Sequence, residues 1–428
     1  MSIIKDLSEL VSANIISNDT AQKISDYYSN KKTTSSSGSR QLLIFGISGA
    51  LLVGIGLMFI IANQWDRLPD SIKTFCAFTI LIVPQLLSVY AILKKAEKIV
   101  WRESIALLLF FAVGANISLI SQIYHITGEA SSFILTWMLL TVPLIYILNS
   151  STVSLAYFIG IVSYSFAVKF DSPDPSGNYI YWLLFTLPLP HYFGLIKKSP
   201  DSPLLILHHW MIPYALTQTL GSIEYNFKGL MSLAYISMFG IFYLIGNFSY
   251  FSKRSLIKNG YRIFGFGGTV IALLVMSFES NWKSVQESHY ILNSLIISPE
   301  FIVNILLFGL VLFLLFRQNK DRPLTDWKIF ETNFLLYLMI FIPGLFSFPA
   351  YILVNFLVFG LGLSVIRDGS RQGQIGLLNL GMIIIALLVI CRSFDTGLTF
   401  VVKGILFMLV GIGFFVINWL MIRKKERK

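Results

Sequence analysis

Apolar stretches of roughly twenty residues recur along this chain, and its acidic and basic residues sit between them or at their ends. A helix rises 1.5 Å per residue, so each stretch is long enough to cross the roughly 30 Å hydrocarbon core of a bilayer. Only 13% of the 428 residues are charged, where a soluble protein carries about a quarter, and the mean hydropathy is +0.72. A transmembrane β-barrel would require short segments that alternate in polarity, and these do not alternate. The expected fold class is all-α, a polytopic membrane helix bundle.

Fourteen segments are expected to span: 41–62, 74–93, 104–121, 133–149, 151–168, 179–196, 203–221, 229–250, 263–278, 301–316, 333–348, 350–366, 374–391 and 404–422. The gaps near 150 and 349 are short, which leaves twelve as the alternative count. With a cytoplasmic N-terminus, 26 of the 33 Lys and Arg residues fall in inner loops and tails and 7 in outer loops. That asymmetry is the positive-inside pattern and puts both termini in the cytoplasm. The net charge of +11 is accordingly read as topology, not as a nucleic-acid surface. Cys76 and Cys391, both at ends of apolar segments, are read as small buried hydrophobes.

Residues 1–30 read as a small cytoplasmic docking module of two short helices. Ile4, Leu7 and Val11 mark the first; Ala21, Ile24 and Tyr28 mark the second, with Asp19 and Gln22 as a capping box. Residues 31–40 read as a flexible Ser/Thr linker, 41–422 as the transmembrane domain and 423–428 as a basic tail. No apolar h-region opens the chain, so no cleavable signal peptide is expected. Gly46, Ala50 and Gly54 form a small-residue face on the first spanning helix.

The stretch "IIANQWDRLPDSIK", followed by "WRE" and "GANISLISQIYHITGE", resembles the bacterial membrane proteins catalogued as domain of unknown function 2157. The two-helix start and the late "NLGMIIIALLVICRSFD" with "KGILFMLVG" carry the same resemblance. It implies a multi-pass protein of the bacterial inner membrane and no particular activity.

Three polar clusters fall on the expected outer face: Trp65, Asp66 and Arg67; Gln122, Tyr124, His125 and Glu129; and Arg392, Asp395 and Lys403. Helix capping and interfacial ion pairs account for these residue types. As one site, they would offer an acid, an imidazole and a guanidinium for acid–base work or anion binding. Asp66 is expected to approach Arg392 or His125, with the small-residue face letting the first and thirteenth spans come together. His191, His208 and His209 lie on two arms of a proline-interrupted hairpin, and interfacial packing is the leading reading over a metal or pH-sensitive site. No Asp, Glu, Lys or Arg falls inside the fourteen segments, which disfavours an ion-coupled carrier.

No metal or cofactor is expected. Membrane lipids are the expected partners; residues 1–30 are expected to dock on the protein's own cytoplasmic face, with a cytoplasmic or membrane protein docking on them as the alternative. The leading functional reading is a non-catalytic envelope or scaffold component. The alternatives are a transporter or flippase for an uncharged or lipidic substrate, with a cavity lined by Asn116 and the proline-broken helices, and an enzyme acting on a lipid-linked substrate at the outer face.

Overall fold

The apolar runs contain few helix breakers, and in hydrocarbon only a helix satisfies its own backbone. In the computed structural model every described element is helical or a turn. It describes residues 7, 10–13, 15–34, 37–64, 69–171, 179–224, 227, 229–287, 292–323, 327–346, 349–395 and 399–426. The main helices are α1 (Asn18–Thr34), α2 (Ser37–Gln64), α3 (Asp70–Lys94), α4 (Ile99–Ile123), α5 (Ala130–Ile147) and α6 (Ser151–Asp171). They continue as α7 (Ile180–Thr186), α8 (Leu189–Lys198), α9 (Pro203–Leu220), α10 (Leu230–Gly246), α11 (Gly260–Met276) and α12 (Glu279–Glu287). The last five are α13 (Pro299–Gln318), α14 (Ile329–Gly344), α15 (Ala350–Gln372), α16 (Ile375–Asp395) and α17 (Phe400–Glu426). Among the described residues, 7 helices are both long and apolar enough to cross a membrane, and 5 shorter apolar helical runs accompany them.

The chain divides into two compact units, residues 1–160 with 184–194, and residues 161–183 with 195–428. In the first unit α4 packs against α2, α3 and α5. The small-residue face of α2 meets this helix. A Cβ on Gly46 would stand 2.7 Å from Ser104 Oγ, and one on Gly54 would stand 3.4 Å from Phe111. The face expected to admit the thirteenth span is therefore occupied by the third. Asn116 of α4 donates to the Ala77 carbonyl of α3 at 2.7 Å, tying two helices together instead of lining a cavity.

In the second unit α10 is the central helix. Fourteen of its 17 residues are buried, and it packs on α11, α13 and α14. A helix this apolar on every side has no polar face to turn outward. Its approach to α11 depends on Gly265, whose Cβ would press on the Tyr243 amide and stand 2.8 Å from the Phe239 carbonyl. Asn304 and Asn355 also tie helices, donating to the Leu230 and Ser277 carbonyls at 3.1 and 3.3 Å.

Three local expectations change. Ser17 caps α1, accepting from the Thr20 amide at 3.2 Å, while Asp19 sits in the first turn and pairs with Lys23 at 2.6 Å. The hydroxyl wins because it precedes the first helical residue, where its oxygen can face the unpaired amides. The 31–40 stretch expected as a loose linker is helical to Thr34 and again from Ser37. Cys76 and Cys391, expected to be buried, are each only partly buried.

Gly265 and Gly267 lie on one helix in opposite surroundings, since a Cβ on Gly267 would meet nothing within 4 Å. Gly265→Ala is expected to lower stability by about 1–3 kcal/mol through overpacking. Gly267→Ala is expected to be neutral or slightly stabilising, because alanine favours helix. Thermal unfolding of the two variants in detergent checks the contrast, and equal midpoints would contradict it.

Candidate functional site

The most densely hydrogen-bonded polar group among the described residues of the first unit entered the sequence reading only as the last residue of "WRE", with no role of its own. Glu103, near the start of α4, is only 1% exposed. Its carboxylate accepts from Ser150 Oγ at 2.6 Å, Thr152 Oγ1 at 2.7 Å, and the amides of Ser151 and Thr152 at 3.0 and 2.9 Å. Ser150 Oγ in turn accepts from the Val153 amide at 3.3 Å. The first three amides of α6 are thus capped by two side chains, one from another helix. A carboxylate at this position also meets the positive end of the helix dipole.

Next to this cap, Ser151 Oγ lies 3.2 Å from His191 Nε2. Ser151 and His191 are both buried. The chain leaves α5 for α6 through Asn149, which takes a left-handed conformation at φ 44°. Asparagine tolerates that conformation better than most residues. The sequence signal was present in "NSST" at 149–152, where three hydroxyl residues at a helix start invite an acceptor or a donor partner.

In the second unit Glu300 is fully buried in the first turn of α13 and accepts from the Phe227 amide at 3.0 Å, just before α10 begins. Asn259 caps α11 with Oδ1 on the Arg262 amide at 3.1 Å and donates Nδ2 to the Gly246 carbonyl at 2.8 Å. A polar group also gathers around Tyr243. Its hydroxyl lies within electrostatic reach of Asn247, Arg262, Glu331 and Asp368.

The residues expected to form the outer cluster are placed as follows. Trp65, Asp66 and Arg67 lie outside the described residues, as does the Asp395 side chain. Gln122, Tyr124, His125 and Glu129 are exposed. Gln122 reaches only Ser118 Oγ, at 3.4 Å, and His125 has φ 50°. Glu129 occupies the position before α5 without capping it through its side chain. Arg392 donates to Ser277 Oγ at 3.3 Å and stacks 4.8 Å from the Phe278 ring centroid, contacts within its own unit. Lys403 lies 5.7 Å from the Phe400 ring centroid.

The three histidines take three separate partners. His191 meets Ser151; His208 Nδ1 lies 2.7 Å from the Leu204 carbonyl one turn back; His209 Nδ1 lies 3.2 Å from the Lys258 carbonyl. Among the described residues no group of three His, Cys, Asp or Glu side chains is arranged to hold a metal ion.

Long apolar helices whose buried polar groups serve helix ends and helix crossings define an integral α-helical membrane protein. Residues 8–154 match the family model described as Predicted membrane protein (DUF2157). The match takes in "IIANQWDRLPDSIK" and "GANISLISQIYHITGE" and ends before the late segment that carried the rest of the resemblance. No curated protein and no solved structure matches the chain.

Glu103→Ala should destabilise the protein by about 3 kcal/mol, since it leaves buried donors without their charged acceptor. Glu103→Gln should fall between, keeping one acceptor oxygen but turning an NH2 toward other donors. Denaturant unfolding in micelles measures both. Wild-type stability in Glu103→Ala would mean that the cap does not hold α6.

Proposed function

We propose that the chain is a fourteen-span protein of the bacterial inner membrane with both termini in the cytoplasm, acting as a non-catalytic envelope or scaffold component. The observation that carries this reading is the engagement of Glu103, Glu300 and Arg392 in contacts that position helices. Glu103 caps the entry to α6, Glu300 accepts from the Phe227 amide ahead of α10, and Arg392 engages a serine hydroxyl and an aromatic ring. Such contacts hold helices in place and leave these groups ill-suited to turning over a substrate. Residues 1–30 would form a docking module, and the burial of Leu7 favours their seating on the protein's own body.

A second reading, a carrier or flippase for a lipidic substrate, is favoured by an apolar groove beside α9 and α11. Its lining suits an acyl chain better than a polar solute.

The orientation is tested with single cysteines in a background where Cys76 and Cys391 are replaced by serine. A cysteine at Thr127, exposed in the α4–α5 connection, should react with an impermeant thiol reagent in intact cells. Cysteines at Lys258 and Lys320 should react only after permeabilisation. Labelling at Lys320 from outside would reverse the topology.

The non-catalytic reading is tested by complementation. His125→Gln and Arg392→Gln should each restore whatever phenotype deletion of the gene produces. Loss of complementation by both, with unchanged abundance, would favour the outer-face enzyme.

A further inference from the structure

We propose that the groove between α9 and α11, floored by α10, binds one acyl chain of an anionic phospholipid, with the headgroup held by Lys253 and Lys258. The groove has a volume of about 540 Å³, and Trp210, Thr217, Phe239, Gly267, Ile271 and Val275 are among its walls. It follows α11 from Ile263 to Met276, roughly 20 Å at 1.5 Å per residue. That length exceeds the roughly 15 Å depth of a single leaflet, half of a 30 Å core. An extended hydrocarbon chain has this shape.

The polar atoms along the walls are already engaged. Thr217 Oγ1 donates to the Pro213 carbonyl at 2.7 Å, and the Tyr235 hydroxyl donates to the Thr217 carbonyl at 3.3 Å. Ser232 Oγ accepts from the Tyr337 hydroxyl at 2.9 Å. What remains for a ligand is apolar surface, widened at Gly267 by the missing side chain.

One end of the groove is joined to a basic loop. Trp210 Nε1 donates to the Ile257 carbonyl at 2.8 Å, and the neighbouring His209 ring meets the Lys258 carbonyl at 3.2 Å. These bonds fix the single turn Leu256–Lys258 beside the Trp210 end. Leu256 and Ile257 stand 59% and 76% exposed, flanked by the exposed Lys253 and Lys258. Exposed aliphatics between lysines suit the boundary between acyl chains and anionic headgroups. Arg254 is engaged elsewhere, donating to the Pro200 carbonyl at 2.8 Å and lying 3.8 Å from Asp201. Lys253 and Lys258 carry no ion pair among the described residues, so charge complementarity selects an anion at this end.

The test is native mass spectrometry of the full chain in detergent. It is titrated with phosphatidylglycerol, with phosphatidylcholine of the same acyl chains, and with glycerol phosphate alone. Phosphatidylglycerol should bind roughly tenfold or more tighter than phosphatidylcholine, a reasonable effect for two lysines at an anionic surface. The double variant Lys253→Gln, Lys258→Gln, altered only at exposed side chains, should lose that preference. Gly267→Leu, which points into open space, should weaken both lipids by filling the groove. Ile271→Trp on the same wall serves if that variant does not fold.

Equal affinity for the two lipids, a preference that survives the lysine substitutions, or lipid binding undiminished by the groove-filling variant would each overturn the proposal. Glycerol phosphate binding as tightly as phosphatidylglycerol would also overturn it, by making this a phosphate site without an acyl component.

Discussion

A helix that begins away from water leaves its first amides with nothing to bond to unless the protein supplies an acceptor. The rest of the structure is arranged around that requirement. At α6 the acceptor is a carboxylate from α4. Before α10 it is Glu300 from α13, and at α11 it is the side chain of Asn259. Where Pro188 interrupts the α7–α8 arm, the Leu184 carbonyl takes the Leu187 amide at 3.2 Å and the Leu187 carbonyl takes the Tyr146 hydroxyl. Glu103 and Glu300 come from other helices, and Asn259 also donates to the Gly246 carbonyl that ends α10, so satisfying one helix end also fixes the position of another helix.

This coupling sets the packing. Glu103 and Asn116 lie on the same helix, one holding the entry to α6 and the other holding α3, while Gly46 and Gly54 let α2 close on its flank. In the second unit Glu300 and Asn304 are one turn apart on α13; Asn304 binds the first residue of α10 and Glu300 the Phe227 amide ahead of it. Lipid tails are as apolar as leucine, so apolar burial drives helix association weakly inside a bilayer. Close approach at glycine and hydrogen bonds at the crossings then decide which helices are neighbours.

The helices themselves were legible in the sequence because length and hydrophobicity suffice to mark them. Partners were not. The Gly46, Ala50, Gly54 face announces that something packs closely there, but its periodicity is identical whether the neighbour is the third span or the thirteenth. Asn116 looked like the lining of a polar cavity because composition reports a donor and not the carbonyl it meets. Glu103 and Glu300 were passed over for a different reason. They stand just outside the apolar windows, and a charge at the end of a hydrophobic segment reads as exposed. Both are buried, because the apolar window ends before the helix packing does.

That burial bears on what Ser151 and His191 can do. A hydroxyl 3.2 Å from an imidazole is within reach of the proton exchange that activates a serine nucleophile. In such a site the third member is a carboxylate that orients the imidazole and balances its charge. Here the adjacent carboxylate, Glu103, instead accepts from Ser150, Thr152 and the amides that open α6. To serve the histidine it would have to release donors that have no water to replace it, and α6 would lose its cap. The same residue types that compose a catalytic triad are here divided between a helix end and its neighbour. The direction of the carboxylate, toward the backbone, assigns the group to the architecture.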